Sequence, residues 1–144
     1  MVTVVLPALI LWRTGVSVEP LTALLGALLI LPGLALVAWT VRLFVTVGRG
    51  TLAPWDATAR LVVQGPYRHV RNPMISGVAA ILAGEALFFR SWPIAVCLAV
   101  FALINGIYMP LSEEPGLSRR FGEQYELFRA NVPRWLPRLR GWRP

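Results

Sequence analysis

Three polar groupings stand out in a chain whose other residues are largely apolar. The first is the run Gly65-Pro66-Tyr67-Arg68-His69-Val70-Arg71-Asn72-Pro73. It holds a Gly-Pro turn, a phenol, two guanidiniums, the chain's one imidazole and a proline that suits the first turn of a helix. The free backbone amides of such a helix start, with Arg71 beside them, make a site for a carboxylate or a phosphate. The alternative is that the turn only re-enters a membrane while its arginines reach headgroups. If a reaction here needs a general base, His69 is the only imidazole to supply it. The second grouping is Ser112-Glu113-Glu114-Pro115. The dipole of a following helix accounts for one of these acids. A carboxylate pair also forms a clamp for ribose hydroxyls, an adenine amino group or a cationic centre, because carboxylates accept hydrogen bonds and neutralise positive charge. A divalent metal is the weaker choice, since no further carboxylate or His lies nearby in the sequence, and no metal site is expected. The third is Glu85, a single acid within an apolar segment. A charge there is expensive and marks function, unless the residue lies close enough to its helix end to reach Arg90 or the external interface. Cys97, among apolar neighbours, reads as a buried inert thiol.

The chain that must position these groups has 144 residues, 15.9 kDa, 56% apolar and 15% charged residues and a mean hydropathy of +0.62, the balance of a membrane protein. One Cys and one His exclude a disulfide framework and any zinc, iron–sulfur or haem site drawing several such ligands from the chain. All 14 basic residues are Arg, so Schiff-base and P-loop lysine chemistry is excluded as well. A net charge of +7 and a pI near 11.3 would point to nucleic acid in a soluble domain. Here the arginines flank apolar spans, which assigns them to membrane topology and anionic headgroups and leaves no nucleic-acid partner. Gly48-Arg49-Gly50 is a fragment of a dinucleotide fingerprint, lacks the third Gly and follows no strand, so it carries little weight.

Residues 21–41 carry no charge and make about 31 Å of helix, which matches the hydrocarbon core of a bilayer. Residues 73–89, interrupted only by Glu85, and residues 92–111 are two further spans joined as a hairpin by Arg90 and Ser91. Residues 1–12 are apolar but too short to cross, unless the bilayer is thinned, the segment is re-entrant or the natural chain starts earlier. They lack a basic leader and a small-residue cleavage site, which argues against a cleaved signal peptide. Arg49, Arg60, Arg68 and Arg71 lie in the connection 48–72, and seven more arginines lie in the tail after residue 111. Two spans separate those segments, so both fall on one side, and the positive-inside rule makes that side cytoplasmic. Residues 13–20 then form an external turn. In the tail, Leu117, Phe121, Tyr125, Phe128 and Val132 recur at helical spacing with polar residues between them, which predicts one amphipathic helix with Pro115 in its first turn, ended by Pro133 and Pro137 and lying along the inner interface. The expected fold is an all-α integral-membrane bundle of three to four transmembrane segments with a C-terminal amphipathic interfacial helix. It forms a single domain over residues 1–144, made of apolar segments (1–47), a connection (48–72), a hairpin (73–111) and the tail (112–144).

The run from Gly65 to Met74, followed after two spans by Glu113-Glu114-Pro115-Gly116-Leu117, Phe121-Gly122-Glu123-Gln124-Tyr125 and Val132-Pro133-Arg134-Trp135-Leu136-Pro137, resembles the isoprenylcysteine carboxyl methyltransferase and phospholipid methyltransferase superfamily. The resemblance extends over roughly residues 21–139. It implies an integral-membrane enzyme that uses S-adenosylmethionine, bound on the cytoplasmic side between the connection, the start of the next span and the Glu-Glu segment. The lipid-like or apolar acceptor then enters sideways from the bilayer. Carried over by position, the resemblance places Leu61, Val62, Gly65 and Tyr67 beside the cofactor and Asn72, Pro73, Met74 and Ile75 at its methionine or adenosine end. Glu113 becomes the carboxylate contact with Glu114 beside it, and His69 and Arg71 are the candidates for a catalytic part. The family commonly has His where Asn72 stands and Tyr where Ile75 stands; Asn can still donate and accept hydrogen bonds. An Arg that handles substrate in the prenylcysteine enzymes has no match in Tyr108-Met109-Pro110-Leu111. Methyl transfer from a sulfonium needs orientation and exclusion of water more than acid–base help, which suits so few polar side chains.

Two other functions compete with this reading. A small transporter would use Glu85 as its coupling charge and would spread polar residues along the spans, whereas here they collect at the cytoplasmic ends. A scaffold would keep the fold without activity. The expected location is a bacterial or archaeal-type inner membrane with the active site facing the cytoplasm. The methyl acceptor and the oligomeric state are left open by the sequence.

Overall fold

The computed structural model describes residues 3–48 and 60–143; Arg49, counted above among the basic residues of the connection, and Gly50 of the glycine fragment lie outside them. The elements are α1 (Val5–Thr14), α2 (Pro20–Thr46), α3 (Pro73–Phe88), α4 (Trp92–Tyr108), α5 (Glu114–Phe121) and α6 (Glu123–Asn131), with a 3₁₀ turn at Gly65–Arg68 and a π-helical turn at Met109–Glu113. The described residues contain no strand, so the all-helical membrane architecture read from the sequence is the one found. At 27 residues α2 is longer than a bilayer core requires, and α4 runs on through the π turn to Phe121 as 30 continuous residues. With 16 residues, about 24 Å, α3 is short for a span, and α1 with 10 is shorter still. Few residues of α2 and α4 are buried within the protein, and Leu24, Leu28, Leu103 and Ile104 point outward. Such a surface is stable where lipid covers it.

The chain packs as two units, Met1–Ala35 with Ser76–Gly106, and Leu36–Ile75 with Ile107–Pro144. Inside the first, α2 and α3 touch backbone to backbone. A Cβ on Gly26 would stand 2.5 Å from the Gly84 carbonyl oxygen, and one on Gly84 would stand 2.6 Å from that of Gly26. Seven residues along α2, a Cβ on Gly33 would meet the Gly77 carbonyl oxygen at 2.9 Å. The glycines on these two helices let them approach without side chains between. Leu82 and Ile94 are fully buried in this unit. Arg90 pairs with Glu19 at 3.0 Å, which ties the turn before α2 to the turn before α4.

In the second unit Tyr125, Phe128 and Val132 form a core against Leu61, Val63, Leu117, Phe121 and Trp142. The single amphipathic helix expected over the tail is two helices, because Gly122 adopts φ +53° and ψ −129° and ends α5. Only glycine takes that backbone cheaply. The apolar stripe still assembles on one side, but it faces protein, covered by the connection and the end of the chain. That end is a strap: the Arg71 amide donates to Pro133 O at 2.9 Å, the Arg138 amide to His69 O at 2.9 Å and the Trp142 amide to Arg68 O at 2.8 Å.

Gly84→Ala should lower stability by about 1–3 kcal/mol through overpacking against α2, whereas Gly106→Ala, whose added methyl meets nothing within 4 Å, should be neutral or stabilising. Thermal unfolding of the two variants in detergent separates these outcomes; equal midpoints would mean that α2 and α3 do not pack this closely.

Candidate active site

The second unit encloses a cavity of about 140 Å³. The 3₁₀ turn and the first turn of α3 supply one wall with Tyr67, Arg71, Asn72, Met74 and Ile75; Leu61 and Val62 of the connection, Phe44 of α2, Met109 and Glu113 of the π turn, and Leu117, Tyr125 and Phe128 of the tail helices close the rest. Gly65 allows this turn: its φ is +53°, and a Cβ there would sit 3.0 Å from both Trp39 and Leu43. Most of the lining is apolar; of its polar side chains Arg71 and Asn72 come from one segment and Glu113 from another much later in the chain, and the Tyr67 and Tyr125 phenols also line it.

The two neighbouring acids have separate surroundings. Glu114 is 4% exposed and gathers three guanidiniums. Arg71 Nη1 donates to its Oε1 at 3.0 Å, Arg134 donates to both oxygens at 2.8 and 2.9 Å, and Arg129 Nε lies 3.7 Å away. Two-toothed Arg–carboxylate contact of this kind fixes direction as well as charge. Glu113 makes no hydrogen bond or ion pair with another described residue, is exposed to solvent, and lines the cavity. Arg71 faces the cavity too, and its buried Nε–H has no partner among the described residues. Burial pushes the Tyr67 phenol up to about 12, with the Glu113 carboxylate adding to the effect, so Tyr67 stays neutral at any physiological pH and can donate a hydrogen bond. Burial raises the Tyr125 phenol as well, and Glu114 adds to this against the opposing pull of Arg71.

Of the residues singled out in the sequence, Leu61, Val62, Tyr67, Arg71, Asn72, Met74, Ile75 and Glu113 line this one cavity. Gly65 and Pro73 shape its backbone without lining it, and Glu114 stands behind it, holding Arg71. His69 is also outside: its Nδ1 is 2.7 Å from Arg138 O, and the imidazole packs against Gly141 of the strap. Phe44, Met109, Leu117, Tyr125 and Phe128 complete the lining without having been marked as site residues. The helical spacing of Leu117, Tyr125 and Phe128 was the available signal; Phe44 and Met109 carry none. Glu85, in the first unit, has a buried Oε2 with no partner among the described residues, and Arg90, one of the two contacts that would have made it structural, pairs with Glu19.

The donor set suits a zwitterionic cofactor with an apolar body: an unpaired carboxylate, an unpaired guanidinium N–H and an amide sit among aliphatic and aromatic walls. A space of this size admits a benzene-sized group, one end of such a cofactor and not all of it. Residues 21–124 match the phospholipid methyltransferase family, and the chain belongs to that family. Membership makes it a membrane methyltransferase. No curated protein and no solved structure matches the chain.

Glu114→Gln should cost about 3 kcal/mol or more, because it leaves buried guanidinium charge uncompensated, and it should loosen the strap. Limited proteolysis at Arg138 and Arg140 together with thermal unfolding reads both effects, with exposed Glu123→Gln as the neutral control. A strap as protected as the native one would show that Glu114 does not hold it.

Proposed function

We propose that the protein transfers a methyl group from S-adenosylmethionine to a lipid-like or apolar small acceptor that reaches the cavity from the bilayer. The observation that carries this reading is the presence of Glu113, a carboxylate without a partner among the described residues, and the orphaned Nε–H of Arg71 in one largely apolar cavity, both residues lying within the family-matched region. Glu113 would hold the cofactor's ammonium or ribose hydroxyls and Arg71 its carboxylate. Leu61, Val62, Met74 and Ile75 would flank its apolar parts, with Tyr67 and Asn72 donating hydrogen bonds. When bound, the cofactor supplies a methyl group activated by a sulfonium and open to in-line displacement. The protein's share is then positional: Glu114 fixes Arg71, Gly65 and Pro73 set the backbone that carries Tyr67 and Asn72, and the apolar walls keep water from the reacting atoms. A carboxylate or neutral-amine acceptor needs no strong base. A catalytic part for His69 finds no support in its position, since the ring is bonded to the strap and lies outside the cavity.

Titration calorimetry in nanodiscs should show saturable S-adenosylmethionine binding that Glu113→Ala weakens about tenfold or more, the loss of a charge-assisted contact. Absence of binding at millimolar cofactor would overturn the reading.

We also infer that the connection and the tail face the cytoplasm of a bacterial or archaeal-type inner membrane, from the distribution of arginines. In a Cys97→Ala background, Arg60→Cys should be protected from an impermeant thiol reagent applied outside, and Ser17→Cys, also exposed, should be labelled. The reverse pattern inverts the topology.

A further inference from the structure

The apolar stripe that the sequence assigned to the inner interface is turned inward, with Tyr125, Phe128 and Val132 at 1–3% exposure. Its place on the surface is taken by the loop just beyond. There Leu139 is 100% exposed, Leu136 80% and Trp135 37%. Arg138, Arg140 and Arg143 are exposed around them, and no acid follows Glu126 in the chain. We propose that residues 134–143 form a second membrane contact, a loop seated in the headgroup region of an anionic leaflet with Leu136 and Leu139 in the upper acyl chains.

Three features carry the assignment. The composition is that of an interfacial anchor: aliphatic side chains that gain from leaving water, a Trp suited to the headgroup level, and arginines drawn to anionic lipid. The loop is also held in place. Its backbone is bonded to Arg68 and His69, and Pro133 just before it to Arg71, all shortly ahead of Pro73, where the apolar helix α3 begins, so it is fixed beside the point at which the chain enters the bilayer. Finally, the charge is of one sign, which matches a phospholipid surface better than it matches this basic chain, so a second copy is the poorer occupant. This contact does not rest on methyl transfer, and its test needs no cofactor.

The test uses the full chain with Cys97→Ala and either Leu139→Cys or Leu136→Cys, both exposed positions outside the cavity, labelled with an environment-sensitive fluorophore in nanodiscs. With phosphatidylglycerol present, nitroxide lipids spin-labelled near the headgroup should quench the probe, and aqueous iodide should not. Phosphatidylcholine alone, or Arg140→Gln with Arg143→Gln, should shift the loop toward water, by about fivefold for each arginine removed, the equivalent of ~1 kcal/mol near an anionic surface. A probe open to iodide and unquenched by lipid nitroxide overturns the proposal. So does a probe shielded from both quenchers, which would mean that protein covers the loop. Equal quenching with and without phosphatidylglycerol removes the anionic lipid from the proposal.

Discussion

The Glu114 carboxylate is the fixed point of the site. It lies at the head of α5, is nearly inaccessible to water, and binds arginines from three separate places: Arg71 before α3, Arg129 in α6 and Arg134 in the strap. A buried charge is costly and is tolerated when its partners satisfy it well. The direct contacts of 2.8–3.0 Å with Arg71 and Arg134 do so. One carboxylate thus sets the direction of Arg71 into the cavity and seats the residues that follow α6.

Strap and hub together explain how so short a chain holds a shaped cavity without a large core. The strap donates to the carbonyls of Arg68 and His69 and accepts from the Arg71 amide, backbone groups at the end of the 3₁₀ turn and before α3 that would otherwise need water or lipid to satisfy them. Arg68 Nε adds a bond to Trp142 O at 2.9 Å, and Trp142 in turn packs on Phe128 at 6.0 Å between ring centroids. Polar pairing and aromatic packing therefore close on the same few residues. In the first unit the logic differs: lipid offers apolar surface as good as any side chain, so helix contact comes from close backbone approach at Gly26 and Gly84.

Periodicity and motif made much of this legible in advance. Long apolar stretches, broken only by Glu85 in α3, marked α2, α3 and α4, because the bilayer imposes such lengths. The Gly-Pro turn, the Asn-Pro helix start and the acid pair marked both walls of the cavity, because turns and caps have local chemical signatures. Long-range pairing had no such signature. Nothing in the sequence separates Arg134 from the other tail arginines, and nothing distinguishes Phe44 from other apolar residues near the end of α2. His69 drew attention as the sole imidazole, yet its environment comes from Arg138 and Gly141, some 70 residues away. The break at Gly122 was concealed by an apolar spacing that continues across it.

Neighbouring acids with different surroundings follow from the turn that carries them. Pro110 lacks the N–H that an α-helix would use at that position, and the chain passes through a π-helical turn in which the Glu114 amide reaches Met109 O. This wider turn delivers α5 with Glu114 directed inward to the arginines, while Glu113, one residue earlier, is left at the cavity mouth facing solvent. Had both acids been drawn into the arginine cluster, the cavity would have lost the acid that lines it among the described residues. Had both faced outward, Arg71 and Arg134 would lie buried without a counter-charge. The proline in the last turns of the span, unremarkable as a helix breaker, thus stands in the turn that sends Glu114 into the arginine cluster and leaves Glu113 lining the cavity.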